Sequence, residues 1–185
     1  MNSKKPKVIL TGYRATGKTS IGKSLAKRLD INFLDMDKVI EERQGSSIRQ
    51  MVAEHGWAFF REQEKSLLEE LIPQTGLVIA TGGGAIMHQE TWQKLMKTGL
   101  CVLLTADTET IRHRLLEDEN SATLRPSLTG KDIGREINEV LSERLPLYRQ
   151  GSHLAIDTSS RSIDDIVLEI VRAIDKKSTV ASASS

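Results

Sequence analysis

The segment Gly12-Tyr13-Arg14-Ala15-Thr16-Gly17-Lys18-Thr19 matches G-x-x-x-x-G-K-[ST] without a mismatch. It follows the apolar run Lys7-Val8-Ile9-Leu10-Thr11 and precedes a helical pattern to about Leu29, in which Ile21, Leu25 and Leu29 share one face. Strand, glycine loop and helix in that order make a cradle for phosphate. Glycine lets backbone N–H groups curl around phosphate oxygens, and the helix N-terminus adds a dipole that favours anions. Lys18 is then placed for the β- and γ-phosphates, and the Thr19 hydroxyl for Mg²⁺. The motif points to a nucleoside triphosphate. It leaves the acceptor open.

The rest of the chain repeats the same alternation of short apolar runs and amphipathic helical stretches, which predicts an α/β domain with a mainly parallel sheet. Further strands are expected at Asn32 to Met36, Leu77 to Ala80, Cys101 to Leu104 and Leu154 to Ile156. Their continuous apolar character predicts cover on both faces. Ser162 with Asp165 resembles a capping box, and Ile163, Ile166, Val167, Ile170, Val171 and Ile174 form a stripe at helical spacing behind it. The 185 residues fit one domain, expected over 1–175, with Lys176 to Ser185 a disordered, frayed tail. Between Glu117 and Lys131 the pattern loses periodicity, which marks a long loop, and loops of that length in a compact domain are usually functional or disordered.

Composition removes several classes. With 38% hydrophobic and 28% charged residues the chain is core-forming rather than disordered. Its 26 basic and 25 acidic residues nearly cancel, which argues against a nucleic-acid or membrane-surface binder. Cys101 is the single cysteine, so no intramolecular disulfide is possible. No apolar run nears the roughly 20 residues of a membrane span, and Val8-Ile9-Leu10 is too short for a secretory signal. A cytoplasmic enzyme or binding domain is expected.

Further along, Asp35 and Asp37 bracket Met36 at the end of the second expected strand. Alternate strand residues share a face, so both carboxylates should look into one site at the carboxyl edge of the sheet. Thr81-Gly82-Gly83-Gly84 follows the third strand and exposes backbone amides to a ligand. Arg61 lies in the helical segment Phe59-Phe60-Arg61-Glu62-Gln63-Glu64, and Arg144 precedes Leu145-Pro146-Leu147-Tyr148. A guanidinium offers a bidentate fork to a planar carboxylate.

Taken in order, the phosphate loop, the D-x-D pair, the F-R-x-x-E segment, the G-G-G turn, Arg125-Pro126 and the R-x-P-L-Y segment resemble shikimate kinase over about Lys7 to Ile174. The resemblance implies a three-layer P-loop NTPase fold of the nucleoside-monophosphate-kinase type. A five-stranded parallel sheet is flanked by helices, with a mobile lid at about 117–131. It implies Mg²⁺-dependent transfer of the γ-phosphate of ATP to the 3-hydroxyl of shikimate, by a monomer. By matching position, Lys18, Asp37 and Arg125 would be catalytic. Gly12, Ala15, Thr16, Gly17, Lys18, Thr19, Ser20, Arg114, Arg125 and Arg161 would hold the nucleotide, with the Asp157-Thr158-Ser159 turn at the adenine edge. Asp37, Arg61, Gly82, Gly83, Gly84 and Arg144 would hold shikimate, and Thr19 with Asp35 would serve the metal.

Three positions depart from the pattern: Trp57 stands where Glu is usual, Val52 where a pocket Phe is common, and Ser127 where Leu follows the lid R-P. The alternatives are a kinase for another hydroxy acid, such as quinate or gluconate, or a non-catalytic nucleotide-binding regulatory module. His55, His88, His113 and His153 lack metal-ligand spacing and are expected to be solvated or capping. Lys4, Lys5 and Lys7 are expected to form a solvated leader.

Overall fold

Side chains of the central strand alternate between two apolar layers, and the molecule is built outward from that strand. The computed structural model describes residues 5–117 and 132–183. Within them, β1 (Lys7–Thr11), β2 (Asn32–Asp35), β3 (Leu77–Ala80), β4 (Leu100–Thr105) and β5 (Leu154–Asp157) form a parallel sheet in the order β2-β3-β1-β4-β5. The described helices are α1 (Lys18–Leu29), α2 (Met36–Gln44), α3 (Ile48–Leu71), α4 (Gln89–Met96), α5 (Thr108–Glu117), α6 (Ile133–Gln150) and α7 (Ile163–Ala183). The expected α/β architecture with a five-stranded parallel sheet is what forms.

On one face Ile9, Ile79, Cys101 and Leu103 meet Met36 and Ile40 of α2, Met51, Leu67 and Leu68 of α3, and Trp92 and Leu95 of α4. On the other, Val8, Leu10, Val78, Val102 and Leu104 meet Ile21 and Leu25 of α1 and Ile166, Val167 and Ile170 of α7. A smaller third cluster joins Ile111 and Leu115 of α5 to Ile137 and Val140 of α6. The central strands are buried on both faces, as their composition predicts. The edge strands β2 and β5 are not, because each has a neighbour on one side only and leaves residues such as Asn32 and Ala155 exposed.

Two other expectations need correction. Lys7 is no solvated leader residue: it is 4% exposed. Its Nζ donates to the carbonyls of Leu71 (2.9 Å) and Ile72 (2.8 Å) and to Thr98 Oγ1 (2.8 Å). The ammonium closes the C-terminus of α3, where orphan carbonyls and the helix dipole favour a cation. Burial pulls its pKa below the usual lysine value. Lys7→Met should therefore cost about 1–3 kcal/mol of stability by orphaning buried acceptors, measured as the denaturant midpoint. An unchanged midpoint would show that the cap contributes nothing.

The second correction concerns the tail. Helix α7 continues to Ala183, past Lys176, where the sequence reads a disordered tail. No Gly or Pro interrupts 176–183, and Lys177 Nζ is fixed on the Gly99 carbonyl at 2.8 Å. At the other end of α7, the Asp165 N–H donates to Ser162 Oγ (3.1 Å), so the expected cap forms. No helix among the described residues is long and apolar enough to cross a membrane.

From β1 the chain crosses to β2 on one side, and later elements reach β4 on the other, so β1 is the switch point of the sheet. Open α/β sheets bind ligands at the carboxyl ends of strands at such a point. Leu10, Ala80 and Asp35 lie in register across β1, β3 and β2. The loops that follow all three strands consequently open on the same edge.

Candidate active site

The turn after β1 is shaped by backbone constraints that few residues satisfy. Gly12 has φ +137°, and a Cβ there would lie 2.2 Å from the Leu104 carbonyl oxygen. Gly17, at φ 91°, caps the N-terminus of α1, while Ala15 accepts a left-handed φ of 59°. Thr16 Oγ1 donates to the Tyr13 carbonyl at 2.8 Å. The Lys18 Nζ lies back over the loop, donating to the carbonyls of Gly12 (2.9 Å) and Tyr13 (2.7 Å). Its ammonium is thus delivered to the concave side of the loop. Ser20 lines the same cleft, of ≈ 510 Å³.

Beside it Thr19 Oγ1 donates to Asp35 Oδ2 at 2.7 Å. Asp35 is also the N-cap of α2, accepting the Asp37 N–H on Oδ1 at 3.2 Å. Asp37 belongs to the first turn of that helix, so the alternation expected of a strand is not what relates the two carboxylates. β2 ends at Asp35, and the cap turns Asp37 toward the cleft. The expectation of one shared site still holds, since both line the phosphate cleft. Asp37, 7% exposed, also lines a second, inner pocket.

That inner pocket is walled by Tyr13, Arg14, Ile48, Trp57, Phe60, Arg61, Glu64, Gly82–Gly84 and Arg144. α3 supplies Arg61, whose Nη1 donates to Glu64 Oε2 at 2.5 Å and whose guanidinium lies 5.3 Å from the Trp57 ring centroid. α6 supplies Arg144, whose Nη1 donates to the Gly83 carbonyl at 3.2 Å. The Tyr148 hydroxyl donates to the same carbonyl, and burial pushes its pKa up to about 12, so it stays protonated. At Gly84 a Cβ would sit 2.1 Å from Arg61 Nη1, so a larger residue there would displace the guanidinium. Two guanidiniums therefore converge on a glycine turn whose backbone faces the pocket.

Farther along the phosphate cleft, Arg114 joins two loops. Its Nη1 donates to the Ala15 carbonyl (3.2 Å) and Thr158 Oγ1 (3.1 Å), and its Nη2 to the Thr158 carbonyl (2.7 Å). Asp157 Oδ1 accepts the Ser159 N–H at 2.8 Å, closing the turn after β5. Arg161 lines the cleft too, ion-paired with Glu169 at 2.7 Å. Arg125 and Ser127, expected in the lid, lie outside the described residues.

A model of the shikimate kinase family matches residues 14–175. The chain belongs to the shikimate kinase family. It is 46% identical to a shikimate kinase of Syntrophus aciditrophicus over 173 residues, 89% of each chain. A shikimate kinase of Rhodopirellula baltica is 39% identical over 164 residues, covering 89% of this chain and 88% of that one. The solved structure of the Acinetobacter baumannii shikimate kinase in complex with shikimate superposes with a TM-score of 0.85 at 33% identity, over 94% of each chain. The fold expected from the sequence is the P-loop kinase fold of this family.

Family membership also puts the departures in context. Trp57 faces the inner pocket and packs edge-on to Phe60, with ring centroids 6.0 Å apart. Val52 packs against the core layer of α3. Sequence reasoning quoted Glu64 within F-R-x-x-E without giving it a role, yet its carboxylate is 0% exposed and is shared by Arg61 and His88 (Nε2 to Oε2, 3.1 Å). Its Oε1 has no hydrogen-bond partner among the described residues. The three-residue spacing from Arg61 was the available signal. His88 is accordingly not a solvated histidine. His153 does serve the backbone, its Nδ1 accepting the Cys101 N–H at 3.0 Å.

Proposed function

We propose that the chain transfers the γ-phosphate of ATP to the 3-hydroxyl of shikimate, giving shikimate 3-phosphate and ADP. The observation that carries this is the position of Asp37, on the wall common to the phosphate cleft and the inner pocket. A hydroxyl held in the inner pocket faces the phosphate loop across that carboxylate. Arg61 and Arg144 would clamp the shikimate carboxylate, with the Gly82–Gly84 backbone against the ring. Asp37 would orient the hydroxyl and take its proton, and Lys18 would neutralise the β- and γ-phosphates. Arg125 is assigned the transferring phosphoryl, on the family pattern alone. Gly12, Ala15, Thr16, Gly17 and Ser20 would line the triphosphate, and Arg114 and Arg161 the adenine.

The Thr19 hydroxyl and Asp35 carboxylate, already 2.7 Å apart, are hard oxygen donors of the kind Mg²⁺ selects. They would hold the ion with phosphate oxygens and water, and the ion would offset charge on the β- and γ-phosphates. A cytoplasmic monomer acting on small molecules completes the proposal.

The test supplies ATP, Mg²⁺ and, separately, shikimate, quinate, gluconate and nucleoside monophosphates, and follows ADP release. Shikimate should exceed every other acceptor in kcat/KM by orders of magnitude. A preference for quinate or gluconate would reassign the acceptor, and nucleotide binding without turnover would favour the regulatory module. Within the same assay, Arg144→Ala should weaken shikimate binding by about 2–5 kcal/mol, the range for losing one partner of a buried charge pair. ATP affinity should stay near wild type. Equal losses for both ligands would remove the carboxylate clamp.

A further inference from the structure

The phosphate loop carries a cation that its motif does not require. Arg14 occupies a variable position of G-x-x-x-x-G-K-T, yet its side chain lines both the phosphate cleft and the inner pocket. Its Nη2 is ion-paired with Oε1 of Glu136, in the first turn of α6. The two side chains are 14% and 1% exposed, so the pair is almost dry. Arg14 Nε is buried and has no hydrogen-bond partner among the described residues. Burying an ion pair is a poor route to stability, because desolvation offsets most of the attraction and apolar side chains of similar volume do as well. A pair of this kind at the junction of two ligand sites is better explained by the charge it fixes there.

We infer that Arg14 is a further transfer residue of the kinase, its guanidinium contacting the phosphoryl group as it crosses from nucleotide to acceptor, with Glu136 as the positioning residue that orients it. The inference rests on the kinase activity proposed above. In the step, the bond from the γ-phosphorus to the β,γ-bridging oxygen breaks and a bond to the acceptor oxygen forms. The hydroxyl proton passes to Asp37, and ADP leaves with the bridging electron pair. Negative charge spreads over the three equatorial oxygens of the phosphoryl group, so cations fixed in advance lower the barrier. Lys18 reaches those oxygens from the loop side. Arg14 reaches them from the acceptor side, one nitrogen of its guanidinium being held by Glu136.

Arg14→Met, Arg14→Lys and Glu136→Gln should be compared with wild type for kcat, both KM values, thermal midpoint and affinity for ADP–aluminium fluoride with shikimate bound. Arg14→Met should lower kcat by about 10²-fold, the loss typical of one preorganised charge donor, with both KM values within about threefold. Affinity for the aluminium fluoride complex should fall in parallel while ADP affinity holds. This is the pattern of an interaction made only in the transition state. Arg14→Lys should recover part of kcat, and Glu136→Gln should fall between wild type and Arg14→Met. An unchanged kcat in Arg14→Met overturns the inference, as does a loss confined to KM or to thermal stability. If Arg14→Met does not fold, wild-type kcat and aluminium fluoride affinity in both Arg14→Lys and Glu136→Gln overturn it instead. A wild-type protein inactive on shikimate counts against the proposed function, and aluminium fluoride binding then still tests Arg14.

Discussion

Lys18→Ala should leave a folded protein whose turnover falls by about 10²–10³-fold or more, the cost of removing one preorganised charge from a developing anion. The side chain is 9% exposed and donates to two carbonyls of its own loop, so its ammonium is held over that loop. Folding should survive, because Gly12, Gly17 and Thr16 shape the loop through backbone conformation and the Thr16–Tyr13 bond rather than through the lysine. Circular dichroism and the thermal midpoint check the fold, and ADP release checks turnover. Near-normal turnover in a folded variant would remove the phosphate-loop assignment.

Asp37→Asn should separate chemistry from binding. General-base contributions are typically about 10²–10⁴-fold, so kcat should drop by that order while shikimate affinity changes far less. The amide keeps the size of the side chain and its place at the start of α2, with at most about 0.3–1 kcal/mol lost from the helix dipole. Asp35→Asn is the control. Asn caps helices as well as Asp does, so α2 should stay intact, and the defect should shrink as Mg²⁺ is raised. Turnover measured across a Mg²⁺ titration distinguishes the two. Should the Asp37 defect vanish at high Mg²⁺ while the Asp35 defect persists, the roles are reversed.

The sequence made the phosphate loop, the parallel sheet and the convergence of Arg61, Arg144 and the triple glycine readable, because each depends on local chemistry at fixed spacing. Asp35 and Asp37 do line one cleft, but not through strand alternation, since a period of two says nothing about where a strand yields to a helix cap. Lys7, Glu64, Glu136 and His88, all charged or titratable side chains, escaped. Lys7 and Glu136 are buried by partners distant in the chain, Lys7 bonding residues 64 and 65 positions away and Glu136 meeting Arg14 across 122. His88 reaches Glu64 across 24, and Glu64 also pairs with Arg61 three residues before it. Periodicity ranks such residues as surface, and only the folded chain shows otherwise. Arg125 rests on the family pattern and lies outside the described residues.

The division of the core by β1 bears on how the acceptor can change. Helices α1 and α7 brace the phosphate cleft from one face of the sheet, while α3 and α4 build the inner-pocket side from the other. Substitutions that recut the wall around Trp57 and Phe60 are relayed into the second layer, and the strands stand between them and the layer beneath the phosphate loop. The insulation is not complete, because Arg14, Asp37 and Ile48 line both cavities. Only substitutions confined to side chains of the inner pocket alone, such as Trp57 and Phe60, can therefore recut the acceptor wall without touching the phosphate cleft.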